Sequence, residues 1–83
     1  METAPMRWVP TYVAEAALYW AGDTIWGRDP GAFRMMLMRV IAKADVENRR
    51  TLARVYPEWV DAVVQVRTEV GFEQLREQVQ GHA

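Results

Sequence analysis

Side chains able to carry a reaction are few in this chain and poorly placed for one. The only histidine is His82, next to the last residue, and there is neither a cysteine nor a serine. A histidine-centred proton relay therefore has no credible centre, and the usual activated nucleophiles are missing. Carboxylates do fall in pairs: Asp45 with Glu47, Glu58 with Asp61, and Glu73 with Glu77. Glu58 and Asp61, three residues apart, share one face of a helix and offer weak oxygen ligation to a hard cation. A calcium site needs about six or more oxygens arranged by a loop, so solvated helix charges are the simpler reading. Gly27 to Gly31 lacks the Lys-Ser/Thr ending of a phosphate loop. The expectation is a non-enzyme with no catalytic residue, cofactor, metal or small-molecule substrate, working by contact.

Two sets of residues are candidates for that contact. The first is aromatic and apolar. Four Trp and three Tyr, with Met35, Met36 and Met38, are many for a core of this size, and Trp, Tyr, Met and Arg are enriched in binding surfaces. Trp20, Trp26 and Trp59 also have a plain reading as core filling between helices. Trp8, Tyr12, Tyr19 and Trp26 are the aromatic residues expected to meet a protein partner, together with Phe72, Leu75 and Val79 further on. The second set is basic. From Arg28 to Arg54 there are seven basic residues against Asp29, Asp45 and Glu47, whereas from Val55 onward Glu58, Asp61, Glu69, Glu73 and Glu77 face only Arg67 and Arg76. A tight turn at Ala44-Asp45 before Asn48-Arg49-Arg50-Thr51 resembles a helix-turn-helix. In that alternative Asn48, Arg49 and Arg50 reach base edges, and Arg34, Arg39, Lys43 and Arg54 meet phosphates. Against it, the turn lacks the usual Gly and the isoelectric point is about 5.7, below that of dedicated DNA-binding domains.

These residues need elements to hold them. A chain of 83 residues buries one modest core, and an apolar fraction of 51% argues for folding. The expected fold is all-α: a compact bundle of three to four helices over residues 11–80, an extended N-terminal arm over 1–10 and a frayed end over 81–83. Thr11 is the expected N-cap of a first helix running to about Trp26, apolar around most of its circumference and so covered on more than one side. Asp29 is expected to cap a second helix with Pro30 in its first position. Its stripe Phe33, Met36, Leu37, Val40, Ile41 and Ala44 reads as core, leaving Met35 and Met38 off it and Arg34, Arg39 and Lys43 towards solvent. Asp45 caps a third helix, which Pro57 ends or kinks, while one apolar face (Leu52, Val55, Tyr56, Trp59, Val63, Val66, Val70) continues across it.

After Gly71 the phase changes. Phe72, Leu75 and Val79 lie about 160–220° around the wheel from Trp59. Either the chain breaks or packs closely at Gly71, or those three residues form an apolar strip for something else.

Ile41-Ala42-Lys43-Ala44-Asp45-Val46-Glu47-Asn48, then Leu52, then Tyr56-Pro57-Glu58-Trp59-Val60-Asp61-Ala62, resembles small helical proteins of unknown function from bacterial and phage genomes. In those, a helix ending in Ala-Asp is followed by an Asn, a Leu and a Phe/Tyr-Pro step. The resemblance covers about a quarter of the chain, brings no catalytic residue, and implies an accessory protein of a phage or mobile element that binds a host or viral macromolecule. The chain has no stretch of ~20 apolar residues and no signal-peptide pattern, and the lack of Cys fits a cytoplasmic setting. The expected partner is another protein or a second copy. Nucleic acid is the alternative, with a structural subunit of a larger assembly as a third reading.

Overall fold

The computed structural model describes residues 9–81 and, among them, is all-helical. Five short helices replace the three to four expected: α1 (Thr11–Trp20), α2 (Ala32–Lys43), α3 (Val46–Val55), α4 (Pro57–Val66) and α5 (Glu69–Gln80). Most of the expected arm, Trp8 included, lies outside the described residues. Val9, the last arm residue but one, is fully buried, and the Gln78 side-chain amide on α5 donates to its carbonyl at 2.6 Å. A contact across 69 positions thus ties the start of the described chain to its end.

Helix α1 is central, packed by α5, α4 and α2. Its alanines explain this, since Ala14, Ala16 and Ala17 are buried beside Val13 and Leu18 and small side chains let neighbouring helices approach from several sides. Pro10, not Thr11, occupies the N-cap, and its carbonyl accepts from Val13 and Ala14. The helix ends at Trp20, six residues before the expected Trp26. Gly22 takes φ +107°, Gly22 N–H donates to the Tyr19 carbonyl, and Asp23 N–H reaches back to that of Leu18, which is a Schellman termination. Asp23 Oδ1 then accepts from the N–H groups of Ile25 and Trp26, and its Oδ2 meets Arg76 of α5 at 3.3 Å.

At the next start the expected cap shifts by two residues. Gly31, with φ +94°, is the N-cap of α2, and Asp29 instead closes the turn before it by accepting from Gly31 N–H at 2.9 Å. Asp45 does cap α3, accepting from Asn48 N–H at 2.8 Å. Replacing it with Ala is expected to cost about 1 kcal/mol, a fall in thermal midpoint of roughly 4–8 °C measurable by circular dichroism.

Pro57 opens α4 as its first residue, so the chain divides there into two helices. Val55 and Val70, expected on one continuous face with Trp59, are exposed, whereas Trp59, Val63 and Val66 are core. The break in the last segment comes at Arg67–Thr68, before Gly71. Thr68 Oγ accepts from Gly71 N–H at 3.0 Å and caps α5. Gly71 itself is buried against the end of α4: a Cβ added there would run into the Gln65 carbonyl. Because α5 departs in a new direction, the phase change on the wheel turns Leu75 and Val79 into the core, at 1% and 5% exposure. Of the two readings of that phase change, the break is the one realised.

Candidate protein-binding face on α2 and α3

Helix α2 holds seven large apolar residues in twelve, more than one packed side can take. Leu37, Met38 and Ile41 are the buried ones, facing α1 and α4. Phe33, Met36 and Val40, expected in the core, are 66%, 61% and 51% exposed, while Met38, expected off the stripe, is fully buried. At 100° per residue the buried face is centred about 80° around the helix from the centre of the apolar stripe. The cause is the course of the next helix. To cover Phe33, Met36 and Val40, α3 would have to fold back along α2, but it packs on α4.

An open groove of about 420 Å³ is left between α2 and α3, lined by Val40, Lys43 and Ala44 on one side and Asn48, Thr51 and Leu52 on the other. None of these residues is acidic, and α2 has no acidic residue at all. On the helix wheel Lys43 and Arg39 follow Met36 by about 20° and 60°, so they edge the exposed stripe. Helix α3 has no fully buried residue. It turns Asn48, Thr51 and Leu52 towards the groove, and the exposed Val55 falls within the same arc of about 100° on the helix wheel.

The basic residues assigned to nucleic acid are not one surface. Arg34 lies over the rings of Tyr12 and Trp59, 5.5 and 5.4 Å from their centroids, and those rings meet edge to face at 6.1 Å. Its cation is engaged in covering the core beside α1. Arg49 is half-buried and donates through Nη2 to the Ala44 carbonyl at 3.3 Å. Arg67 donates through Nη1 to that of Ala42 at 3.3 Å. Two guanidinium groups thus satisfy the end of α2, where the helix dipole favours positive charge. Arg50 and Arg54 sit more than about 100° around α3 from the groove, and Asn48 serves α3 through its backbone N–H. Between α2 and α3 lies the open groove, and α3 packs on α4.

The aromatic set divides as well. Tyr12 is half exposed beside Arg34, Tyr19 is partly buried, and Trp26 and Phe72 are partly buried against the core. Leu75 and Val79 belong to the core, which removes the C-terminal strip from the surface. The other exposed apolar residues, such as Ile25, Val64 and Val70, belong to other segments of the fold, and isolated cases of this kind are ordinary. Phe33, Met36 and Val40 were missed as surface residues because their spacing is that of a core stripe. The signal that distinguished them was the breadth of apolar surface on α2, which Met35 and Met38 already displayed.

Among the described residues no group of three or more acidic or histidine side chains, Glu58 and Asp61 included, is arranged to hold a metal ion. No helix among them is long and apolar enough to cross a membrane. Comparison with family models, curated proteins and solved structures finds no match to this chain.

Proposed function

We propose that this chain is a non-enzymatic protein-protein interaction module whose contact face is the outer side of α2, continued by the groove to α3. The observation that carries the reading is the exposure of Phe33, Met36 and Val40 on a helix whose adjoining side is core. Covering a large apolar side chain is worth about 1.5–3 kcal/mol, so three neighbouring ones favour a partner strongly. Met and Phe are also residue types enriched at such faces. On the resemblance of Ile41 to Ala62, the biological setting is that of a phage or mobile-element accessory protein acting in the cytoplasm on a host or viral protein. Service as a structural subunit of a larger assembly differs from this only in stoichiometry. Nucleic-acid binding is the weaker reading, because Arg34 and Arg49 are engaged within the fold.

The test is affinity capture from the native host, comparing the natural chain with a Phe33→Asp/Met36→Asp double variant. Both positions are more than half exposed, so the variant should keep its circular dichroism spectrum and thermal midpoint. A protein held by the natural chain and reduced at least about tenfold on the variant, about 1.4 kcal/mol, is the expected result. The same proteins recovered equally on both would refute the reading.

A further inference from the structure

We infer that the occupant of this face is an amphipathic helix with acidic flanks, supplied by a different protein; the inference rests on the interaction reading above and specifies its partner. Three features of the face define the occupant.

The first is shape. Phe33, Met36 and Val40 follow one another at three- and four-residue steps along one side of α2, and the apolar line continues into the groove towards Leu52. A line of apolar groups beside a groove between two helices suits a third helix carrying anchors at i, i+3 or i+4, and i+7. It suits an extended strand less, because α2 and α3 satisfy their own backbone groups and leave no row of donors and acceptors to pair with.

The second is charge. From Ala32 to Val55 there are six basic and two acidic residues, leaving four basic and nine acidic residues in the rest of the chain. Arg39 and Lys43 edge the stripe, and neither acidic residue of this segment lines the groove. Asp45 caps α3, and Glu47 stands on the flank of α3, about 90° around from the groove's centre. A helix with Asp or Glu beside its apolar anchors is drawn in and oriented by these cations, whereas one with Lys or Arg there is opposed.

The third is what the same features say against other occupants. Two copies meeting through α2 bring Arg39 and Lys43 of each against those of the other. The acidic helix of a second copy, α5, offers Glu69, Glu73 and Glu77, but Leu75 and Val79 are buried and Val70 is its only large exposed apolar residue, too little to cover three. A nucleic acid satisfies the cations yet gains nothing from the apolar line between them, which lacks donors for phosphate or base edges.

The test is a selection from displayed helical peptides of about 16 residues, with Leu fixed at the anchor spacing and all other positions drawn from Glu, Lys, Gln and Ala. It is run in parallel on the natural chain and on a Met36→Glu/Val40→Glu variant, whose folding is checked by circular dichroism. The expected outcome is enrichment on the natural chain, Glu over Lys at the positions beside the anchors, and loss of at least about tenfold in affinity on the variant. Replacing Arg39 and Lys43 with Glu should reverse the Glu-over-Lys preference. Enrichment that depends on Met36 and Val40 without a Glu preference would overturn the acidic partner while leaving the interaction reading intact. Enrichment indifferent to the variant, or none at all, would overturn both. Displacement of the selected peptides by a short duplex DNA, or self-association of the natural chain that Met36→Glu/Val40→Glu abolishes, would replace the proposed occupant with nucleic acid or a second copy.

Discussion

Replacing Gly71 with alanine is expected to lower the thermal midpoint by about 10 °C or more. Helix propensity taken alone gives the opposite sign, because Ala is favoured over Gly in a helix by about 1 kcal/mol. The contact geometry outweighs it. The added Cβ would collide with the Gln65 carbonyl and crowd Thr68 Oγ, and a backbone carbonyl at the end of α4 cannot rotate away as a side chain would. Relief requires moving α5 off α4, which withdraws Leu75 and Val79 from the core and strains the bond from Gln78 to Val9. Gly81→Ala is the control. Its Cβ would stand 3.4 Å from the Glu77 carbonyl, an ordinary contact, so its effect should stay within about 0.5 kcal/mol. Equal midpoints for the two variants would show that α4 and α5 do not approach as described.

The pair Met38→Ala and Met36→Ala is expected to separate by several kcal/mol although the two residues are identical and two positions apart. Met38 is fully buried between α2 and its neighbours, and removing it leaves a cavity at a cost of about 2–5 kcal/mol. For a domain holding about 4–12 kcal/mol in total, that is a large share of its stability. Met36 is 61% exposed, and truncating it should move the denaturation midpoint by no more than about 0.5 kcal/mol. Had α2 packed on the centre of its apolar stripe, the order would be reversed. Chemical denaturation of the two variants therefore reads the rotation of α2 directly, and with it the existence of the exposed face.

Much of the local structure was legible in the residues. The helical class, Asp45 as the cap of α3, the division near Pro57 and the covering of the alanine-rich α1 on more than one side follow from side-chain chemistry acting over a few positions. The end of α1 was also written locally, in Gly22 followed by Asp23, but the apolar residues beyond it, Ile25 and Trp26, suggested more helix than there is. Those residues form a turn held by the Asp23 carboxylate, where a hydrogen bond competes successfully with helical continuation.

Which side of each helix is covered had a different origin. Periodicity shows that a helix has an apolar side, and it is silent about how much of that side finds a neighbour. On α2 the apolar arc is wide enough for two occupants. The core took the half bearing Leu37, Met38 and Ile41, because α1 and α4 lie there and α3 leaves at Ala44–Asp45 to pack on α4. On α5 the same limitation worked the other way. Leu75 and Val79 looked displaced only on the assumption of one continuous helix through Gly71, and the change of direction at Arg67–Thr68 turns them inward. Residue types and spacing thus set the helical class, the Asp45 cap of α3 and the scarcity of groups able to do chemistry, since these depend on neighbours along the chain. The identity of the exposed apolar face depends on the paths of helices distant in sequence, so only the packed structure decided it.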